Sequence, residues 1–247
     1  MNVTAVIQAR VGSTRLPGKV MYPLNGRHVL EHVVARTESA TLVDEVIVAT
    51  STEPRDDVID ERVSHFGTDV FRGSESDVLG RMYDAARTAN ADVIVRITGD
   101  CPLIDPGTID AVVRPIQDGA TQYAANIFER TFPRGLDVEA FTFESFERVA
   151  NETTEPHHRE HVTPYYREES ERFKTASITS DTVFNDSQFQ DRDDLRLTLD
   201  EAADYEVLRR IYDHVPYDDI LPIRNAIRYV DENDLMELNA SVEQKSH

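Results

Sequence analysis

Apolar and polar positions follow two rhythms along the first 120 residues. Residues 3–9 (VTAVIQA), 45–50 (EVIVAT) and 92–98 (DVIVRIT) are short, nearly unbroken β-rich apolar runs, which predict buried strands. Residues 28–39 place Val29, Leu30, Val33 and Val34 at helical spacing, and residues 76–89 do the same with Val78, Leu79, Met82 and Ala86. Thr52 and Pro54 have the form of an N-cap and a first-turn proline, predicting a helix that runs to about Phe66. Residues 69–71 form a short strand, and Asp105-Pro106 opens another helix, with Asp105 as its cap. Val/Ile-rich strands separated by helices predict an α/β fold, three-layered and Rossmann-like, with a mostly parallel sheet covered on both faces.

The second half is less regular. Short strands are expected around 122–126, 135–141 and 174–179, and helices over 143–151 and 201–214. Residues 195–199 (LRLTL) read as one more strand, and 218–240 as a polar helical tail. No repeat or low-complexity linker interrupts the chain. Residues 1–247 are therefore expected to form a single domain, with a small irregular β-containing insertion at about 120–185.

Composition adds the chemistry. The chain has 46 Asp and Glu against 26 Lys and Arg, a net charge of −20, with acids spread throughout. We read this as a high-salt adaptation, with an acidic partner-binding face as the alternative, and in either case the field repels nucleic acid. A lone cysteine, Cys101, rules out an intrachain disulfide, and no apolar run is long enough to span a bilayer. A residue order without a charged and apolar leader at Met1, together with that cysteine usage, predicts a cytoplasmic protein with no membrane partner.

Against this acidity, residues 1–30 contain no acid, where the average density would give about five or six, and they carry Arg10, Arg15, Lys19 and Arg27. The loop Arg10-Val-Gly-Ser-Thr-Arg-Leu-Pro-Gly-Lys19 leaves the first strand at the carboxyl edge, where open α/β sheets bind ligands. Gly12 and Gly18 let the backbone approach a ligand closely, and its bare amides, the Arg15 fork and the Lys19 ammonium suit a polyphosphate. The loop is neither a P-loop, since five residues separate Gly12 from Gly18 and Val20 follows Lys19, nor a Gly-x-Gly-x-x-Gly fingerprint. An ordinary strand-to-helix loop with surface basic residues is the alternative. Asp100 and Asp200 each follow a predicted strand and reach the same edge, although Asp200 is equally placed to cap a helix.

IQARVGSTRLPGK (7–19) resembles the N-terminal signature of the sugar cytidylyltransferases, which activate sugar acids as CMP-sugars, and is nearest to the branch named for spore-coat polysaccharide biosynthesis. TGDCPLIDP (98–106), PRGLDVEAF (133–141), REHVTPYY (159–166) and LRLTLDEAADYEVL (195–208) extend the resemblance over most of the chain. Sialate and octulosonate enzymes usually show Pro where this chain has Gln8.

The resemblance implies a sheet of the nucleotide-diphospho-sugar transferase type and transfer of a cytidylyl group from CTP to an ulosonic- or sialic-type acid, for surface polysaccharide or glycan synthesis. It implies Mg²⁺ on Asp100 and Asp200, with Arg15, Lys19 and Asp100 in the catalytic role. Ala9, Arg10, Gly12, Ser13, Arg15 and Lys19 would hold the nucleotide, with a further guess of base contacts from residues 72–76. Arg134, Asp137, Glu139 and His161 would form the acceptor pocket, and the middle region would join two chains as a homodimer. A solvated edge strand is the alternative for Asp137 and Glu139. The rival functions are a glycosyltransferase, which would place Asp-x-Asp where this chain has Asp100-Cys101-Pro102, and a non-catalytic nucleotide-binding scaffold. Catalysis by Cys101 is not expected, since no His partner is assured. Nor is zinc on His157 and His161, since no Cys joins them and Glu160 is misplaced for His-Glu-x-x-His.

Overall fold

The computed structural model, which describes residues 1–243, begins with β1 (Val3–Gln8). A hairpin of β2 (Pro23–Leu24) and β3 (Arg27–His28) follows and leads into α1 (Val29–Glu38). Next come β4 (Glu45–Ser51), α2 (Asp57–Phe66), β5 (Asp69–Gly73), α3 (Val78–Thr88), β6 (Val93–Thr98) and α4 (Pro106–Gln117). The second half holds β7 (Tyr123–Ala125), β8 (Glu139–Thr142), α5 (Phe143–Glu152), α6 (Pro156–His161), α7 (Pro164–Glu168), β9 (Thr175–Ser177), α8 (Ala202–His214) and α9 (Ile223–Glu232).

The main sheet has the order β5-β4-β1-β6-β8-β7-β9. Every neighbouring pair is parallel except the two made by β8, so the sheet is mostly parallel, as the polarity pattern predicts. Alternation along the strands builds three layers. Val3, Ala5 and Ile7 of β1 pack with α1, α2 and α4 on one face, while Val6 joins α3 and α5 on the other. A third cluster gathers Leu195, Leu197 and Leu199 with α8 and α9 beside the sheet.

Asp105 caps α4 as expected, accepting from the Thr108 amide at 2.9 Å. Thr52 does not cap α2. Its amide bonds to the Gly73 carbonyl at 2.9 Å and prolongs the β4–β5 pairing, so the chain turns only at a 3₁₀ turn over Pro54–Asp56. Residues 195–199 are extended but lie outside the sheet: a single bridge joins Arg196 to Arg134. Pro133 has no N–H to extend that ladder. Beyond it, Gly135 takes φ +101° and the Leu136 amide turns back to Pro133, which also delays β8 to Glu139. The expected tail shortens to α9 and a 3₁₀ turn at Leu235–Leu238, and Lys245 lies outside the described residues. Among the described residues no helix is long and apolar enough to cross a membrane.

Candidate active site

Parallel pairing sets Gln8 beside Thr98, so the loops after β1 and β6 leave one edge side by side. A Cβ on Gly99 would stand 3.0 Å from Ala9 Cβ and 3.1 Å from the Gln8 carbonyl, and the two loops approach this closely only because residue 99 is glycine. The extended segment 195–199 supplies the third wall. The Leu197 amide donates to Arg134 O at 2.7 Å and the Leu199 amide to Asp100 O at 2.9 Å, which brings Asp200 beside Asp100. A cleft of about 900 Å³ opens here. Eight Arg and Lys side chains line it against five Asp and Glu, the reverse of the balance of the whole chain.

Lys19 Nζ lies 2.5 Å from Asp100 Oδ2 and 2.8 Å from Asp200 Oδ1. Burial opposes the Lys19 charge, yet the two carboxylates outweigh it and hold the ammonium above its ordinary pKa. Arg15 reaches Asp200 at 3.1 Å and Glu201 at 3.3 Å. Arg196 donates to the other Asp200 oxygen, Oδ2, at 2.9 Å. Burial pushes the Asp200 carboxyl up, but Lys19, Arg15 and Arg196 hold it below the usual carboxylate value. The N-cap of α8 is Glu201, so the Asp200 side chain serves this cluster instead of the helix end.

Ala9, Arg10, Ser13, Arg15 and Lys19 all line the cleft. Gly12 does not; its Cα faces the Arg55 guanidinium and the Glu75 carboxylate. Of residues 72–76 none lines the cleft, but the Ser74 carbonyl accepts from Arg81, which does.

Arg134, Asp137, Glu139 and His161 line the same cleft. No acid pairs with the Arg134 side chain among the described residues, and burial beside Arg130 weakens its hold on its proton. Asp137 takes Arg130 in two contacts, at 2.8 and 3.2 Å. Glu139 is not on an edge: β8 sits between β6 and β7, and its carboxylate is buried, paired with Arg96 and accepting from Tyr123 Oη at 2.6 Å. Gln8 completes this floor, since its Oε1 accepts from Arg96 Nε at 3.1 Å, a bond that proline could not make.

The cleft also contains Arg81, Arg96, Arg130 and Arg167, which the sequence reading missed. Two of them carry a signal. Arg81 falls on the buried face of α3, at helical spacing from Val78 and Ala85, and its Nε is shielded from solvent with no acceptor. Arg96 interrupts the apolar run of β6. Cys101 is buried against Thr98 and Thr198, with its thiol pKa raised well above the ordinary value by burial. His157 and His158 meet Glu168 at 3.2 and 2.8 Å, outside the cleft, and their donor atoms lie within 4.8 Å of one another. His161 turns instead into the cleft wall.

A mostly parallel sheet whose carboxyl edge joins a basic loop to two convergent aspartates has the form of a nucleotide-binding site. Residues 4–237 match the cytidylyltransferase family, and the chain belongs to it. It is similar to a cytidylyltransferase from Leptospira borgpetersenii serovar Hardjo-bovis, at 35% identity and a TM-score of 0.88 with both chains covered in full. It is 31% identical over 215 residues to the spore coat polysaccharide biosynthesis protein SpsF of Bacillus subtilis, covering 85% of this chain and 86% of that one. A 3-deoxy-manno-octulosonate cytidylyltransferase of Pelobacter propionicus is 40% identical over 132 residues, 53% of this chain and 50% of its own. The resemblance read from the loop and the four later motifs is borne out.

Proposed function

We propose that this enzyme transfers a cytidylyl group from CTP to a sugar acid of the ulosonic or sialic type, releasing pyrophosphate, for surface polysaccharide or glycan synthesis. The observation that carries the reading is the convergence of Lys19, Arg15, Asp100 and Asp200 in a cleft that also holds Arg134, whose side chain has no acidic ion-pair partner among the described residues. An acceptor hydroxyl attacks the α-phosphorus, the bond from that phosphorus to the bridging β-phosphate oxygen breaks, and the hydroxyl proton passes to solvent. Lys19 and Arg15 stabilise charge growing on the phosphates, while Ala9, Arg10 and Ser13 line the nucleotide side of the cleft.

Two carboxylates already share one cation, the Lys19 ammonium, and hard oxygen donors of this kind fit a magnesium-class ion. Asp100 and Asp200 would hold it, and when bound it supplies Lewis-acid charge at the phosphates. Arg134 receives the acceptor carboxylate, with His161 and the Asp137 and Glu139 pairs shaping the pocket for hydroxyls. The same reading makes the enzyme a single-domain cytoplasmic protein adapted to high salt, and a homodimer through residues 120–185.

Pyrophosphate release from each of four triphosphates, with Mg²⁺ and a panel of sugar acids, tests the proposal. CTP with one of the acids is expected to react. Release from no combination, or stronger thermal stabilisation by a UDP- or GDP-sugar than by CTP with Mg²⁺, would overturn it.

A further inference from the structure

We infer that Lys19 keeps the metal site closed until a triphosphate draws its ammonium away, so that divalent cation and nucleotide load together. The inference rests on the metal role given above to Asp100 and Asp200, and concerns how access to that site is controlled.

The carboxylate oxygens facing the site are already engaged. Lys19 Nζ holds Asp100 Oδ2 at 2.5 Å and Asp200 Oδ1 at 2.8 Å. Arg15 Nη2 shares Asp200 Oδ1 at 3.1 Å, and Arg196 Nη2 takes Asp200 Oδ2 at 2.9 Å. A divalent ion bonded to both of the oxygens that Lys19 holds, at about 2.1 Å, would lie no more than about 4.6 Å from Nζ. With burial limiting solvent around Lys19, that approach sets a double positive charge against a single one with little screening. The ammonium must therefore leave before the ion can settle.

It has few places to go in the free protein. Its stem is buried, and the other acids near the cluster are committed: Glu201 to Arg15, and Asp204 to Arg196. A triphosphate entering the cleft supplies the missing anion. A lysine ends in a compact charge on a flexible four-carbon stem, so it can turn from the carboxylates to the phosphates without moving the backbone. Once it turns, the two oxygens that it held, Asp100 Oδ2 and Asp200 Oδ1, can bind metal, while Arg15 and Arg196 continue to orient Asp200. Coupling of this kind is reciprocal, so metal must tighten nucleotide by the factor by which nucleotide tightens metal.

The test uses the full-length chain, stripped of metal by a chelator, with Mn²⁺ as the probe and free Mn²⁺ read by electron paramagnetic resonance. No CTP or sugar is present, so the readout is independent of turnover. Lys19→Met is expected to bind Mn²⁺ at least tenfold more tightly than the unaltered protein, and adding Asp100→Asn to it should remove the gain. Lys19→Gln, which keeps hydrogen-bond donors without the charge on a side chain one atom shorter, should behave as Lys19→Met does. Equal or weaker Mn²⁺ affinity in both variants overturns the inference. If both variants fold poorly, a melting midpoint that Mn²⁺ raises in them but not in the unaltered protein supports it, and no response to Mn²⁺ overturns it. Cytidylyl transfer by the unaltered protein is measured separately. Its absence would sink the proposed reaction while leaving the Mn²⁺ result to judge Lys19.

Discussion

Asp204 is the residue on which the placement of Asp200 depends, and removing its carboxylate is a demanding test of the site's construction. It is fully buried in the first turn of α8. Its two oxygens accept from Arg196 Nε at 2.9 Å and Nη2 at 3.2 Å, from the Asp200 and Glu201 amides at 3.0 Å each, and from Asn239 Nδ2 at 3.0 Å. Asp204→Ala would leave the nearly buried Arg196 guanidinium without its fully buried partner and two amides without acceptors. Breaking a buried pair from one side costs about 3–5 kcal/mol, a large part of the roughly 5–15 kcal/mol that holds a typical domain folded. Urea unfolding followed by circular dichroism should therefore show a much lower midpoint at an unchanged slope. Asp204→Asn, which keeps the volume and one acceptor oxygen, should fall between the two. Replacing both partners, Arg196→Met with Asp204→Leu, should recover much of the loss, because no unpaired charge then remains buried. A loss below about 1 kcal/mol in Asp204→Ala, or a double variant no better than the single one, would show that the pair does not anchor this corner.

Asp100→Ala should abolish pyrophosphate release while far-UV circular dichroism and cooperative melting persist; surviving turnover would remove Asp100 from the chemistry. Lys19→Ala should lower kcat by about 10²–10³-fold, as loss of a well-aimed donor to developing charge does, and near-normal kinetics would contradict the role of the opening loop. Acid sensitivity should come in part from His32, whose Nε2–H donates to the Leu24 carbonyl at 2.8 Å and whose pKa burial pushes down to about 4. A folded pKa below the unfolded value means stability is complete above about pH 6.5 and falls as pH drops to about 4, by up to about 3 kcal/mol; His32→Gln should flatten urea-unfolding free energies over that window, and an unchanged slope would refute the assignment.

The sequence shows the first half of the fold clearly, and the reason is burial. β1, β4 and β6 are covered on both faces, so their apolar runs have few competing explanations. The second half was harder to read because β7 and β9 are three residues each and owe their place to neighbours far away in sequence. LRLTL has the alternation of a strand, and its leucines do enter a core, but that core is built by α8 and α9, and Arg134 is its one backbone partner across a bridge. The site divides in the same way. Arg15 and Lys19 stand out in an acid-free stretch, and Asp100 and Asp200 follow apolar runs. Arg130 and Arg167 carry no such mark: among many arginines, nothing local separates one that faces a cleft from one that faces water.

How so acidic a chain can receive a polyanion is answered by pairing as much as by charge count. Several of the cations in the cleft are held by acids that also line it: Lys19 and Arg15 by Asp200, Arg130 by Asp137, and Arg96 by Glu139. These pairs keep the cations in place at little cost in net field, and each acid is a partner that an incoming phosphate or carboxylate can replace. Arg134 differs, because among the described residues no acid forms an ion pair with its side chain, although Asp137 and Asp193 are near enough to attract it. A ligand carboxylate that meets Arg134 displaces no acid, whereas a phosphate that meets Lys19 must draw it from two carboxylates, which a metal ion can then take over. On the proposed reading Arg134 and Lys19 thus suit different anions: one can be met directly, and the other only in exchange for a cation. Salt shortens the reach of the repulsive surface field to roughly 8 Å at 0.15 M and 3 Å at 1 M while screening partly buried pairs much less. The acidity of the surface and the basicity of the cleft can therefore coexist, because they act over different distances.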